Sequence, residues 1–595
     1  ITSSLCVNFD TVCVSNRSQT TFLFKTSLCK KMKYSFGLFT SAAFACVGLG
    51  VGLGVAQACA TNPCVTTSSG TVNGQTLPPS SDAGAAAVNE YLGIPFATAN
   101  RWESPVDFHR PYDGGVVNAS MWGAACLQVL GSNTTYGSED CLRVNVWQPS
   151  TAKPGDRLKV LVFIYGGSNQ FGEAEPYNMS GIAAFQNTIC VNMNYRTGPI
   201  GWMAFEEDVE AGKSTGNWGI LDIQGALRWV QNEISHFGGN PATVAIHGQS
   251  SGGGLVELQY VSPSANGLFQ AAISESGGLD ATSLQDSLAN TLKMADTVGC
   301  ADKAGRVNKR CMLSLEPLQI TNMTYFGSWN PTVDGVTFPA DPLQLLTQGR
   351  VNNVSVIFGS QTNDSQLFLF KDNTIGDEGQ PNTLPNGDLL GMNASAYTDA
   401  IENMVPQNMI AEALTLYPVD STTQGSSLAN LHQLGSVESD KMSCGLRSRA
   451  RLFNLARPGH AYCYRFNYWY QSNAQCTAVP NYHKSYMGAV HQDEVTFVMA
   501  QPNFMEDGSC CGKWGLSQGQ EGCARLAECT QCYNETFGVG YRGYFNDKEL
   551  AFAKMIGKYW TTFSTGNPNP PTEAAETATA AATTTQFWPS ISYGA

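Results

Sequence analysis

The sequence predicts an α/β fold with a mostly parallel central sheet flanked by helices. Short β-branched runs alternate with helix-like stretches after Thr61, which is the order expected of βαβ units. The clearest strand runs are residues 158–165 and 243–246, and the clearest helical stretch is residues 220–236. Because no internal repeat interrupts this alternation, we expect residues 61–595 to form a single large domain.

The composition is that of a globular protein with a large core. Charged residues make up 14% of the 595 positions and apolar residues 43%, so the surface is lightly charged. The formal net charge is −14. An acidic chain of this kind is poorly suited to bind a phosphate backbone, and we expect no nucleic acid partner.

The cysteines and the glycosylation sequons indicate the secretory pathway. The 19 cysteines are spread along the chain and do not form the paired short spacings of a zinc module, so an oxidising compartment is favoured. Asn-x-Ser/Thr triplets are acceptors for N-glycans on secreted proteins. After residue 60 they begin at Asn118, Asn133, Asn178, Asn322, Asn353, Asn363, Asn393 and Asn534, and of these we expect Asn363 to be unmodified.

The N-terminal region resembles a secretory signal peptide. A basic cluster at residues 30–33 precedes an uncharged stretch that runs to residue 60 and contains the cleavage-like triplet Ala56-Gln57-Ala58. We therefore expect translation to start at Met32, residues 1–31 to be upstream, non-native sequence, and residues 32–60 to be a signal peptide. A signal anchor is the alternative, but the stretch is rich in Gly and Ala and poor in Leu, Ile and Phe. After cleavage we expect secretion and no stable membrane insertion.

Two segments differ in composition from the rest of the chain. Residues 507–543 form a Cys- and Gly-rich insertion, and residues 572–585 are an Ala/Thr-rich tract. Within the insertion, Cys529-x-x-Cys532 could indicate zinc or redox chemistry, although local disulfides are favoured in a secreted chain. The insertion's cysteines are Cys510, Cys511, Cys523, Cys529 and Cys532.

The strongest chemical motif is Gly248-Gln249-Ser250-Ser251-Gly252, which follows the strand run at 243–246 and precedes a helix-like stretch. This context is that of a nucleophile elbow, a strained strand-to-helix turn that needs glycines beside the nucleophile because larger side chains would meet neighbouring backbone. A Gly-x-Ser-x-Gly also arises by chance in a glycine-rich chain. The position of the motif favours Ser250 as a nucleophile.

Four further segments accompany the longer text around the elbow. The elbow text runs from Phe237-Gly-Gly-Asn-Pro through Ser250-Ser-Gly-Gly253, and the other segments are Tyr91-Leu-Gly-Ile-Pro-Phe-Ala97, Ser138-Glu-Asp-Cys-Leu-Arg-Val-Asn145, Asn194-Tyr-Arg-Thr-Gly-Pro-Ile-Gly201 and Gly216-Asn-Trp-Gly-Ile-Leu-Asp222. Together, in their order along the chain, they resemble type B carboxylesterases and cholinesterases. The resemblance spans roughly residues 91–569 and implies an α/β-hydrolase fold and the hydrolysis of carboxylic esters of small molecules.

The resemblance also supplies partners for the serine. Asp364 stands in a segment where the family usually has Glu, and it is the expected supporting acid, with a solvated loop aspartate as the alternative. His491, in Gly488-Ala-Val-His-Gln-Asp-Glu494, resembles the family's Gly-x-x-His-x-x-Glu segment and is the expected general base. We interpret His247 and His483 as structural.

Donors for an oxyanion are expected from the backbone. In the family, a Gly-Gly run after a strand supplies them, so the resemblance assigns this role to the N–H groups of Gly167, Ser168 and Ser251. Standing alone, Gly166-Gly167 would be read as an ordinary tight turn. No phosphate-binding Gly-rich motif occurs, and no cofactor or metal is implied.

Two disulfides follow from the resemblance, Cys126 with Cys141 and Cys300 with Cys311.

Cholinesterase activity is disfavoured, because the loop from 126 to 141 lacks a tryptophan for a quaternary ammonium and Gln249 replaces the family's usual Glu. Trp122, just before the loop, keeps cholinesterase activity open. A lipase for longer acyl glycerides and a non-catalytic adhesion protein of the same fold stay open as well.

The C-terminal sequence also differs from that of the family. In the family, a further strand-like segment normally follows the sequence around Trp588-Pro-Ser. We therefore expect the native chain to continue beyond Ala595.

The short loop between Cys126 and Cys141 predicts the size of the substrate. In related lipases this loop is a long lid, but here it holds only fourteen residues, 127–140, with little apolar surface. We expect hydrolysis of soluble short- and medium-chain esters without interfacial activation. Rates measured against triglyceride concentration should change smoothly, and a jump at the solubility limit would show that another segment, such as residues 507–543, acts as a lid.

Overall fold

The computed structural model describes residues 62–79, 85–129, 135–325, 327, 329–366, 368, 391–421, 427–468, 488–500 and 547–566. The expected upstream sequence, signal peptide and Cys-rich insertion lie outside these residues, as do the Ala/Thr-rich tract and His483. Within them no helix is both long and apolar enough to cross a bilayer.

The strands of the described residues build one large mixed sheet and several small ones. The strands are β1 (Cys64–Thr67), β2 (Gly70–Asn73), β3 (Gln75–Leu77), β4 (Val88–Pro95), β5 (Ala97–Thr98), β6 (Val106–Asp107), β7 (Val116–Asn118), β8 (Gln128–Val129), β9 (Thr135–Tyr136), β10 (Arg143–Pro149), β11 (Leu158–Ile164), β12 (Ile189–Met193), β13 (Gly239–Gln249), β14 (Ala271–Glu275), β15 (Thr282–Ser283), β16 (Thr332–Val333), β17 (Ser355–Gln361) and β18 (Ala461–Phe466). The large sheet has nine strands in the order β18-β17-β14-β13-β11-β12-β10-β4-β3.

Helices cover the large sheet and complete the α/β architecture that the sequence predicts. Strand runs at 158–165 and 243–246 correspond to β11 and part of β13. The helix expected at 220–236 is α4, followed by a 3₁₀ turn. The helices are α1 (Ser180–Gln186), α2 (Gly198–Trp202), α3 (Glu206–Glu210), α4 (Trp218–Glu233), α5 (Ser251–Val261), α6 (Leu284–Thr297), α7 (Lys309–Leu313), α8 (Pro317–Thr321), α9 (Pro342–Thr347), α10 (Ala394–Met404), α11 (Ile410–Leu416), α12 (Leu428–Ala456), α13 (Asp493–Met499) and α14 (Asp547–Phe563).

The parallel part of the large sheet lies at the centre of the core. Strands β12, β11, β13, β14, β17 and β18 run parallel, and β10, β4 and β3 add an antiparallel edge beyond β12. Residues 160–164 of β11 are all buried. Parallel strands covered on both faces need apolar side chains at successive positions, which explains the continuous run Val-Leu-Val-Phe-Ile. Since the strands are parallel, their carboxyl ends share one edge.

A buried ion pair joins two of the segments noted in the sequence. Arg196, after β12, donates through Nε and Nη2 to the two carboxylate oxygens of Asp222 in α4, each at 2.7 Å. Both side chains are buried. A bidentate pair fixes direction as well as distance, so it holds the turn after β12 against α4.

Both disulfides expected from the resemblance are present. Cys126 bonds to Cys141 with their Cα atoms 4.8 Å apart, and Cys300 bonds to Cys311 with theirs 5.4 Å apart. The first closes the short loop that precedes β10. The second closes the turn between α6 and α7.

Candidate active site

Ser250 stands in the turn between β13 and α5 with φ 60° and ψ −132°. L-residues rarely adopt this conformation, and it costs on the order of 1–3 kcal/mol. The turn is also too tight for side chains at its glycines. A Cβ on Gly248 would lie 2.6 Å from the carbonyl oxygen of Gly252, and one on Gly252 would lie 2.3 Å from that of Ile164. The glycines of the motif are therefore required by close backbone contact, as the sequence predicts.

Backbone hydrogen bonds hold the elbow on both sides. The N–H of Ser250 donates to the carbonyl of Glu275 at the end of β14, at 2.8 Å. The carbonyl of Ser250 accepts from the N–H of Gly254, at 3.0 Å, and so begins α5. The serine side chain is half-buried, which leaves it accessible.

Asp364 and His491 are in direct contact. Asp364 follows β17 and His491 precedes α13, and the distance from Nδ1 of the ring to Oδ1 of the carboxylate is 2.5 Å. The backbone N–H of His491 also donates to the carbonyl of Asp364, at 3.2 Å. Both side chains are buried. The carboxylate thus orients the ring, and Nε2 has no hydrogen-bond partner among the described residues.

The second oxygen of Asp364 is held by two donors. The hydroxyl of Ser276 donates to Oδ2 at 2.6 Å, and the backbone N–H of Gln361 donates to it at 2.9 Å. A carboxylate with bonds to both oxygens keeps one orientation. Asp364 is therefore a buried, fixed acid and not a solvated loop residue.

The Gly-Gly-Ser turn after β11 passes beside the serine. A Cβ on Gly166 would lie 2.8 Å from the Cβ of Ser250. Gly167 and Ser168 both have positive φ, 118° and 55°. No acceptor among the described residues bonds to the N–H groups of Gly167 and Ser168, so both remain available as donors next to the serine.

Neighbouring segments fix this turn. The N–H of Asn169 donates to Oγ of Ser251, at 3.1 Å, which ties the turn to the residue after the serine. The side chain of Gln128, in the loop closed by Cys126 and Cys141, exchanges two bonds with the backbone of Gly172, at 3.0 and 2.9 Å. The disulfide-closed loop therefore packs on the segment that carries the expected oxyanion donors.

The comparisons with known proteins identify the family of this chain. The family model described as "Carboxylesterase family" matches residues 61–511, more than half of the chain. The chain is a member of the carboxylesterase family. The family resemblance seen in the sequence is confirmed, and with it the α/β-hydrolase fold and carboxylic ester hydrolysis by a serine enzyme.

Similar proteins match over most of this carboxylesterase. The medium-chain fatty acyl-CoA hydrolase precursor of Anas platyrhynchos is 27% identical over 544 residues, covering 86% of this chain and 86% of that protein. Cocaine esterase of Homo sapiens is 28% identical over 508 residues, covering 81% and 80%. Acetylcholinesterase of Electrophorus electricus is 28% identical over 543 residues, covering 80% and 76%.

Three residues that contact or surround the candidate site were not singled out from the sequence, namely Glu275, Ser276 and Glu494. Glu494 is fully buried three positions after His491 and accepts from the hydroxyl of Tyr464, at 3.4 Å. Burial raises the pKa of Glu494 well above its usual value, and the nearby carboxylates of Glu275 and Asp364 raise it further. The one signal in the sequence was the Glu of the Gly-x-x-His-x-x-Glu segment.

The tight elbow predicts that alanine substitutions at two helical glycines change the free energy of unfolding in opposite directions. We expect Gly252→Ala to lower the free energy of unfolding by about 1–3 kcal/mol, because the new methyl group would meet two backbone carbonyl oxygens. Gly445→Ala in α12 is the control, since its new Cβ would be 3.4 Å from Nη1 of Arg449, an ordinary van der Waals contact that requires no shift. It should raise stability by about 0.5–1 kcal/mol. Denaturant titration measures both, and equal effects would contradict the tight elbow.

Proposed function

We propose that this carboxylesterase works through Ser250 as nucleophile, His491 as general base and Asp364 as the acid that orients the base. The proposal rests on one observation above others. Asp364 holds Nδ1 of His491, and Nε2 is left without a partner among the described residues. A general base needs a ring nitrogen in this condition to accept the proton of a hydroxyl.

The arrangement of the strands supports the inclusion of Ser250. Glu275 and Ser276 are consecutive at the end of β14, the strand between β13 and β17. Glu275 accepts from the backbone of Ser250, and Ser276 donates to Asp364. A continuous chain of short contacts therefore links the proposed nucleophile to the proposed acid.

In the proposed reaction, His491 takes the proton of the Ser250 hydroxyl as the oxygen attacks the ester carbonyl. The backbone N–H groups of Gly167, Ser168 and Ser251 donate to the oxyanion. The carbon–oxygen bond to the alcohol then breaks, and the alcohol leaves with the proton held by His491. Water, deprotonated by His491, hydrolyses the acyl-enzyme and restores Ser250.

We expect Ser250→Ala to reduce kcat for a soluble p-nitrophenyl ester by about 10⁶-fold, because the nucleophile is lost. It should also abolish labelling by an organophosphate, with peptide mass spectrometry locating the label on Ser250 in the unchanged enzyme. Ser235→Ala, at an exposed serine, is the control and should keep full activity. A label on Ser251 or on another serine would overturn the assignment.

We also propose that the enzyme is secreted and N-glycosylated. The disulfides at Cys126–Cys141 and Cys300–Cys311 are of a kind that persists in oxidising compartments. The sequon asparagines Asn118, Asn353 and Asn393 are exposed, so a glycan attached there could be accommodated.

Expression from Met32 in a eukaryotic host should release protein into the medium with its N-terminus between Cys59 and Thr61. Peptide-N-glycosidase treatment should lower its mass, because the exposed sequons would carry glycans. Intact mass spectrometry of the deglycosylated protein checks both expectations. Secreted material that retains residues 32–58, or a mass unchanged by the glycosidase, would contradict the corresponding half of the proposal.

A further inference from the structure

A second pair of a carboxylate and an imidazole lies in the core behind Ser250. Nδ1 of His247 and Oε1 of Glu275 are 2.9 Å apart, and neither side chain is exposed. The indole N–H of Trp560, in α14, donates to the same Oε1 at 2.7 Å. The His247 ring also packs against Phe163 of β11, with ring centroids 4.8 Å apart. The Glu275 side chain is therefore held by β13 and α14 together.

Glu275 is also the residue whose carbonyl accepts the N–H of Ser250. In the parallel register of β13 and β14, Gln249 faces Glu275 and His247 faces Ile273. The bond between His247 and Glu275 therefore runs diagonally across the two strands. Ladder hydrogen bonds set the separation of strands, whereas a diagonal side-chain bond also resists sliding of one strand along the other.

The stability of the fold does not by itself explain why a polar pair is buried at this position. Replacing buried charged pairs by apolar side chains of similar size is often neutral or even stabilising. What an apolar pair could not supply is a directional bond at a defined register. The elbow needs such a bond, because Ser250 begins directly where β13 ends.

We propose that His247 and Glu275 form a positioning pair that fixes the register of β13 against β14 and so places Ser250 for attack. The inference rests on the proposed role of Ser250 as nucleophile. Neither side chain touches the substrate in this scheme, and both act through the backbone of the elbow.

Two variants remove the bond while keeping volume in the core, His247→Phe and Glu275→Met. Both should lower kcat by about 10- to 100-fold, because small displacements of a reacting group are costly, while KM changes by less than about twofold. Active-site titration with an organophosphate normalises kcat to folded, reactive enzyme. If either variant fails to fold, Trp560→Phe removes the other donor to Oε1 and should lower kcat with KM unchanged.

Two conservative variants distinguish a positioning role from a purely structural or electrostatic one. Asn at position 247 can place an amide N–H near the Nδ1 position, and Gln at position 275 keeps an acceptor oxygen without charge. His247→Asn and Glu275→Gln should therefore retain kcat to within about threefold, since each keeps a hydrogen bond between the two strands.

A buried acid outside the elbow serves as the matched control. Glu257 in α5 is fully buried and pairs with Nε of Arg449 at 2.7 Å. Glu257→Gln should lower the melting temperature and leave kcat unchanged. The inference is overturned if His247→Phe and Glu275→Met lower the melting temperature but not kcat. It is also overturned if His247→Asn and Glu275→Gln lower kcat as much as His247→Phe and Glu275→Met. Labelling at Ser250 tests the proposed function separately, so with that label present such a result overturns this inference alone.

Discussion

The strained backbone of Ser250 is the constraint on which the rest of the site depends. Its φ of 60° and ψ of −132° persist because surrounding backbone groups hold the residue in place. The carbonyl of Glu275 holds its N–H on one side, and α5 begins on the other. Gly248 and Gly252 allow the chain to pass within contact distance of itself and of β11. The glycines of the motif are thus consequences of one backbone conformation.

The sheet order determines which residues meet the elbow. Strands β17, β14, β13 and β11 are consecutive neighbours, and their carboxyl ends lie on one edge. The residues that follow them form a row, with Asp364 after β17, Ser276 after β14, Ser250 after β13 and Gly167 after β11. Each comes from a different part of the sequence, and the parallel sheet alone brings them together. Strand ends at such an edge are a general location for sites in α/β folds.

The elements that could be predicted from the sequence are those whose own residues carry the signal, such as the continuous apolar run of β11 and the local elbow motif. The bonds of Asp364 to Ser276 and His491 instead join residues 88 and 127 positions apart, and no local pattern records such a pairing. The resemblance to a family supplied the proposed acid and base, but not the residues that hold them. Glu275 shows the same limit, because its donor Trp560 lies 285 positions away. A buried carboxylate is acceptable only with such donors, so its presence in a short apolar strand is itself a sign of distant polar partners.

Asp364 stands where the resemblance to the family leads one to expect Glu, and the structure shows how the shorter side chain is accommodated. A side chain one methylene shorter than Glu requires either the histidine or the acid's own backbone to stand closer. The backbone N–H of His491 donates directly to the carbonyl of Asp364, at 3.2 Å, so the two main chains are already within hydrogen-bond distance. The shorter carboxylate then reaches Nδ1 without leaving Ser276 and Gln361. The substitution is therefore accommodated by close approach of two loops, and a Glu placed at position 364 would have to displace the ring or give up its donors.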